Sequence, residues 1–562
     1  MTDQPSEVLR VGLILDRFRA PRWVQQAIRA IQGVPEARIV LLLRVEVERP
    51  RRGGHPSRPG RWQHIAYDAF QRLDARLFRG HPDALEELDL GDLLSDCASL
   101  PIRAEQANHE VCLSDADQEA VRRHRLDVVV DFTSKGLKIR GGRISRLGVW
   151  SYRHGVSRNR TARPVGFREV VDGTEALFSA LVADEGEGHP PRLLYESWSP
   201  VRRRSVHRTL VECLPKLAQF PARVLGDLRR RGGESPAAPG SSGSPVVAAD
   251  SLPALPGNLE VTGAAAILAA RYARDRLRRM LRQETWWLAY GFGKDPLSPR
   301  PDRTLPSAPG NFWADPFPVA DEGGYWIFFE EAPMVGQVGH LSVMRMDPSG
   351  RCQAPTRVLK SETHLSYPGV FRAGNSWYLV PESSAARSVQ LYRARRFPFE
   401  WELEEVLLGE VQAYDPTLAK IDDRWWMFVN IAVEGGSTLD ELHLFHADRL
   451  QGPWKAHSRN PVKSDARSAR PAGHIFGYRG SLYRPAQDCS IRYGRAVVLH
   501  RIVKIDLHEY VEVEASRILP DWDPLVVGVH TLNHAGGLTL MDCLYRERRW
   551  GRRSVESSLP QS

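Results

Sequence analysis

One phrase returns about every fifty residues through the second half of this chain, and it constrains the fold more than any other feature. It reads FWADPFPVADEGGYWIFFEE at 312–331, SYPGVFRAGNSWYLVPES at 366–383 and AYDPTLAKIDDRWWMFVN at 413–430. Weaker copies are HIFGYRGSLYRPAQDCS at 474–490 and GVHTLNHAGGLTLMDC at 528–543. Each strong copy joins a polar or Asp-Pro start, a short apolar strand, a turn and an aromatic-rich strand. A period near fifty with several strands per unit is the signature of a β-propeller blade. Five units fill residues 296–548, which predicts a five-bladed ring with all its inner strands starting around one axial pocket.

The 562 residues exceed what a single core organises, so more than one domain is expected. Hydrophobic residues at 42% and charged residues at 26% fit a soluble globular protein. The net charge of +9 comes from scattered arginines without a nucleic-acid motif, so no nucleic-acid partner is expected. The six cysteines form no CxxC pair, which gives no sign of a zinc site or a disulfide framework, and no metal is predicted. The opening MTDQPSEVLRVGLILDRF is not a secretory signal. An apolar run of about eighteen residues, the minimum for a membrane helix, is absent. The expected location is the cytoplasm.

Residues 1–230 read as an α/β domain. Leu9 to Leu15 is apolar, Trp23, Ala27, Ile28 and Ile31 share a helical face, and Val40 to Val45 is a second buried strand. That order opens a parallel sheet of Rossmann-like type. Leu126 to Phe132 and Leu147 to Tyr152 are further strands, whose ends carry Asp131, Thr133 and Ser134, then Arg153, His154 and Gly155. Ligands of such sheets bind beyond those ends. Residues 231–258 form a Gly/Ser/Pro-rich linker. Residues 259–295 form a basic connector helix, with Ile267, Ala270, Leu277 and Leu281 near one face that packs on a domain, and 549–562 is a basic tail.

The phrase LGVWSYRHGVSRNRTARPVGFREVVDG at 147–173 resembles the formyltransferase family that uses 10-formyltetrahydrofolate. That family shows a strand, an Asn-x-His pair, a loop with Arg and Pro, and a helix. The resemblance covers roughly residues 8–225 and implies a catalytic His at His154, with Arg163 and Pro164 in the loop. Tyr152 replaces the family's Asn, and Asp184 in VADEGEG falls near its later Asp. In the family the His supports the tetrahedral intermediate, the Asn helps to bind the oxyanion and the Asp orients the His.

In the propeller, Asp315 and Asp415 each precede Pro and each start an inner-strand phrase, so both carboxylates are expected at the axis. This pattern is similar to the arabinanase, xylosidase and invertase type of five-bladed glycoside hydrolase. There one Asp is base or nucleophile, a second tunes the acid, and a Glu from a later blade is the acid. Here Gln487 and Asp488 stand where that Glu is wanted, and a slip of one residue turns a side chain to the other face of its strand. Glu382, Glu330 and Glu331 are further carboxyl groups near the pocket, and Trp313 and Tyr414 are candidate rings for stacking on a sugar. Trp326, Trp377, Trp425 and Trp426 read instead as core between blades. ADPF, SYPGVF, PES and YRPAQDCS, with Tyr493 and Gly494 nearby, also resemble the N-terminal domain of plant glucosamine inositolphosphorylceramide transferases over about 305–545. That likeness implies a glycan or glycolipid context.

Together these features predict a formyltransferase-like α/β domain acting on an amino sugar or glycan-linked amine, joined to a carbohydrate-binding propeller. Two rivals stay open: a carbohydrate-binding or scaffold protein with both sites degenerate, and a glycoside hydrolase working through Asp315.

Overall fold

A computed structural model describes residues 8–47, 64–80, 82–107, 110–133, 143–157, 160–161, 164–186, 189–230, 255–293, 295–336 and 338–549. The chain divides into two compact units, residues 1–270 with 433–437, and residues 271–432 with 438–562. Most of the expected linker, nearly all of the expected tail, Ser134 and Arg163 lie outside the described residues.

The first unit is built on one large sheet. Its main strands are β1 (Leu9–Leu15), β2 (Ala37–Val47), β3 (Ala98–Ala107), β4 (Glu110–Leu113), β5 (Val128–Asp131), β6 (Val149–Ser157), β7 (Ala176–Asp184) and β8 (Arg192–Pro200). They lie in the order β8-β7-β6-β5-β1-β2-β3-β4. The run from β6 to β3 is parallel, whereas β4, β7 and β8 are antiparallel to their neighbours. Alternation sends Val11, Leu13 and Leu15 to one apolar core and Ile14 to another, so both faces of the sheet are covered, as a parallel sheet requires. Helix Arg22–Gln32 adds Val24, Ile28 and Ile31 to the first of these cores. Strand order reverses at β1, which β2 and β5 flank, and this leaves a crevice beyond the carboxyl ends of β1 and β5.

The second unit is a five-bladed β-propeller. Blade one runs Asn311–Asp321, Gly324–Pro333, His340–Met346 and Thr356–Leu359. Blade two runs Ser366–Ala373, Ser376–Glu382, Ser388–Arg396 and Glu400–Gly409. Blade three holds Ala413–Ile421, Arg424–Ile431 and Glu441–Ala447 with two short outer strands. Blade four is Phe476–Tyr478, Ser481–Asp488, Ala496–Ile505 and Tyr510–Ile518. Blade five joins the two ends of the ring: Leu532–Ala535 and Leu538–Arg548 pair with Arg282–Phe292, which pairs with Arg303–Leu305.

Alternation along the aromatic-rich strands fills one apolar wedge between each pair of neighbouring blades. In blade three Met427 and Val429 pack toward blade two, while Trp426 and Phe428 pack toward blade four. Trp326 and Trp377 both lie in the wedge between blades one and two, and Trp425 lies between blades two and three.

Two boundaries differ from those read in the sequence. The helix spans Asn258–Leu281 and runs straight into the strand Arg282–Phe292, so the ring starts at Arg282 and not at 296. RQETWWLAYGF carries no repeat phrase because it supplies the third strand of a blade whose first two strands come from the other end of the chain. The helix buries Val261, Ala264 and Leu268, whereas Ile267, Leu277 and Leu281 are exposed. A spacing of three and four residues fits more than one face, and only packing selects among them.

Closure rests on a register running from Arg282↔Arg548 to Phe292↔Leu538, and Leu288 is fully buried within it. Leu288→Ala is expected to cost about 2–5 kcal/mol in urea unfolding. Leu259→Ala, at a residue 88% exposed, is expected to change stability by less than about 0.5 kcal/mol. Equal effects would show that the seam is not what holds the ring shut.

Candidate functional site

Asp315, Tyr367 and Asp415 occupy matching places in blades one, two and three, each directly before a proline. All three have left-handed backbone, with φ of 50°, 47° and 51°. Each sits in a bulge where pairing with the second strand shifts register, between Ala314 and Phe317, Ser366 and Gly369, and Tyr414 and Thr417. Such a conformation is costly for a residue with a Cβ and is tolerated where the surroundings fix it. A bulge re-aims a side chain, and here it brings both Asp315 and Asp415 within electrostatic reach of Glu382 and Tyr367. Acids one hundred residues apart in sequence therefore meet around one axis.

Two buried cations neutralise part of this cluster. Arg470 of blade four donates from Nε to Asp415 Oδ2 at 2.5 Å, and from one terminal nitrogen to Asp415 Oδ1 and Glu382 Oε2, each at 3.2 Å. The Asp415 amide donates to Glu382 Oε2 at 3.1 Å. Gln487 donates its side-chain amide to Asp415 Oδ2 at 2.6 Å and to the Pro471 carbonyl at 2.9 Å. On the other side, His530 Nε2 lies 3.2 Å from Asp315 Oδ1, and its Nδ1 lies 2.9 Å from Asp542 Oδ1. Asp542 also accepts from the amides of Asp315, His530 and Thr531. Tyr367 ties the halves together: its amide donates to Asp315 Oδ2, and its hydroxyl meets Thr417 Oγ1 at 2.8 Å and the Gly473 amide at 2.6 Å.

Charge decides the protonation states. Burial and the adjacent Asp415 push the Glu382 carboxyl well above the usual range, against the opposing pull of Arg470. Burial would lower the pKa of His530, but Asp542 and Asp315 outweigh it and hold the imidazole charged well above its ordinary range. Five buried carboxyl groups, Asp315, Glu330, Glu382, Asp415 and Asp542, thus share two buried cations, and His364 pairs with Glu330 at the exposed rim at 3.1 Å. Asp315, His530 and Asp542 lie close enough together to hold a metal ion, but a charged His530 offers no nitrogen lone pair to one.

Aromatic rings flank the cluster. The Arg470 guanidinium sits 5.2 Å from the ring centres of both Tyr414 and Tyr493. Tyr493 and Trp286 pack on His530 at 5.0 and 4.3 Å. Gly494, at φ +64°, makes room for this stack, because a Cβ there would come within 2.8 Å of the Trp286 ring. Tyr493 is 36% exposed, and Tyr414 and Trp286 are half-buried.

The expected propeller residues fall into two groups. Asp315, Asp415, Glu382, Gln487 and Tyr414 come together. Trp313 does not: it is buried in the wedge between blades five and one, against Phe329, because it stands two places before the re-aimed Asp315. Asp488 is fully buried on the opposite face of its strand, where Arg517 and the Ser490 hydroxyl hold it. Sequence reading missed Arg470, His530, Asp542 and Trp286. Arg470-Pro471 was detectable, since ARPAGHIFGY aligns with AYDPTLAKI and puts Arg where the other blade has Asp.

In the α/β unit, a cleft of about 440 Å³ opens at the carboxyl ends of β1, β5 and β6, lined by Asp131, Thr133, Tyr152, Arg153 and His154 among others. His154 meets the fully buried Ser179 hydroxyl at 3.0 Å. The Tyr152 hydroxyl donates to the Leu217 carbonyl at 3.1 Å, and burial pushes it above the usual phenol range. Asp184 is not brought to His154. It pairs across from Val149 while His154 pairs across from Ser179, so the two stand at opposite ends of the strand pair, and Asp184 caps the Gly186 amide. The expected set of His154, Tyr152 as oxyanion donor and Asp184 as carboxylate therefore does not assemble.

Residues 300–521 match the family described as glucosamine inositolphosphorylceramide transferase 1, N-terminal. Glucosamine inositolphosphorylceramide transferase 1 of Oryza sativa subsp. japonica is 37% identical over 212 residues, which cover 37% of this chain and 28% of the rice protein. The Arabidopsis thaliana protein of that name is 33% identical over 210 residues, 37% of this chain and 27% of its own length. The chain therefore spans under a third, 28% and 27%, of the curated relatives it matches. Among solved structures, the family 117 glycoside hydrolase Zg3597 of Zobellia galactanivorans is similar at 12% identity and TM-score 0.32, over 46% of this chain and 90% of that one. An exo-1,5-alpha-L-arabinanase from a bovine ruminal metagenomic library has 12% identity and TM-score 0.32, over 41% and 93%.

The raised pKa of His530 has a sign that can be tested. Its contribution to stability is complete below the unfolded value near 6.5 and is lost as pH climbs toward the folded value. His530→Gln should therefore be most destabilising, relative to wild type, at about pH 6, with the gap narrowing toward pH 9 in urea unfolding. A gap independent of pH would mean that His530 is neutral in the fold.

Proposed function

We propose that the propeller is a carbohydrate-binding module that holds a hydroxyl-rich or amino-sugar ring at its axis without cleaving it. The observation that carries this reading is the axial cluster itself, five buried carboxyl groups against two buried cations beside the partly exposed Tyr493, Tyr414 and Trp286. A surplus of acid disfavours phosphate and favours hydroxyl groups or an ammonium. The aromatic edges suit the apolar face of a pyranose.

Hydrolysis is disfavoured because it needs a protonated carboxyl across the bond from a base. Blade four contributes Arg470 and Gln487 to the axis and turns Asp488 away. Glu382 is a protonatable carboxyl, but Arg470, the Asp415 amide and the Ser384 hydroxyl hold it in place. The matched relatives' name supports a sugar-linked lipid as the wider context. For the α/β unit the reading is a small-molecule cleft in which an ancestral transfer site has degenerated.

Calorimetry with methyl glucosaminide, methyl glucoside and 10-formyltetrahydrofolate tests this. We expect a sugar to bind and the folate to give no heat. Aryl glycosides of arabinose, xylose and glucosamine should release no phenol. Turnover that disappears in Asp315→Asn would restore the hydrolase, and silence toward every sugar would remove the binding reading.

A further inference from the structure

Five second-strand residues stand in matching register beside the axis: Glu330, Glu382, Asn430, Gln487 and Asp542. Two of them cap the next blade. Glu382 of blade two accepts from the Asp415 amide in blade three, and Asp542 of blade five accepts from the Asp315 amide in blade one. Both caps work because the capped residue is left-handed and presents its N–H out of the ladder. Glu330 pairs with His364, and Gln487 reaches Asp415.

Asn430 of blade three is the exception. It is fully buried, and neither its amide nitrogen nor its amide oxygen has a hydrogen-bond partner among the described residues. Its strand alternation puts it on the face it shares with Phe428, turned toward blade four. The residue it would cap there is Arg470, whose backbone is not left-handed. Without a bulge in blade four, the capping role has no recipient. A buried amide with neither bond satisfied costs about 1–3 kcal/mol for each unmet group, so a folded chain that keeps one calls for an explanation. Leucine has nearly the same size and would remove the cost.

We infer that Asn430 is a specificity-determining contact of the axial cluster, its amide donating to one hydroxyl of a bound sugar and accepting from the adjacent one. An amide offers two donors and an acceptor on one planar group, which matches a vicinal diol and discriminates against a ring lacking either hydroxyl. This rests on the carbohydrate-binding reading above and adds to it the residue that reads the diol.

The test pairs binding with stability in the full-length chain. Wild type, Asn430→Leu and Asn430→Ala are titrated with methyl glucoside, methyl glucosaminide and their monodeoxy analogues, and their thermal unfolding is recorded. We expect Asn430→Leu to melt higher than wild type and to bind the parent sugar roughly tenfold more weakly. Asn430→Ala removes the amide without filling its space, and its loss should match that of Leu, which separates a lost contact from a blocked one. For a deoxy analogue that lacks one of the two contacted hydroxyls, the gap between wild type and both variants should shrink, since one of the two contacts is gone. Unchanged affinity for the parent sugar in both variants, or a lower melting temperature in Asn430→Leu, would overturn the inference while leaving sugar binding intact. Failure of wild type to bind any sugar would instead overturn the reading of the whole site, and this inference with it.

Discussion

Burying five carboxyl groups around one axis is the constraint on which the propeller's site depends. Each ion removed from water costs several kcal/mol unless it is paired and hydrogen-bonded. Arg470 and His530 meet that cost on the two sides of the ring, one with Asp415 and Glu382, the other with Asp315 and Asp542. The left-handed bulges make the pairing possible because they turn Asp315 and Asp415 inward and free their amides to be capped. Strain in the backbone and charge in the side chains are thus two parts of one arrangement. Removing either cation would leave buried acid uncompensated.

The same arrangement bears on chemistry. An axis crowded with carboxylates resembles a hydrolytic centre in composition, but the identity of the blade-four residue changes what the cluster does. An arginine there locks Asp415 and Glu382 into one hydrogen-bonded group. What results is a polar cluster with fixed donors and acceptors. The α/β unit departs from its expected chemistry in a similar way. Its cleft is present at the strand ends, yet Tyr152 is tied to Leu217 and Asp184 stands at the far end of the strand pair from His154.

Some of this was legible in the residues and some was not. The repeat exposed the ring because each blade must solve the same packing problem with the same alternation. Asp315 and Asp415 were visible because Asp-Pro recurs at the phrase start. Trp313 misled because the bulge at Asp315 breaks the alternation that would have carried its ring to the axis. Arg470 escaped notice because it breaks the Asp pattern while keeping its proline, and His530 and Asp542 because the fifth phrase lacks that proline altogether. The strand at 282–292 was read as connector, since nothing local says that a blade takes strands from both ends of the chain.

By itself, the sequence determined the number of blades, the alternation that fills the wedges between them and the two Asp-Pro positions that supply the first carboxylates. These are local or periodic properties, written in residues close together along the chain. Tertiary structure alone decided where the ring closes, which cation neutralises which acid, and that Asn430 is left over. Those outcomes depend on groups far apart in sequence being placed within about 3 Å of one another, and hydrogen-bond geometry at that range is set by the closed ring and not by any one strand.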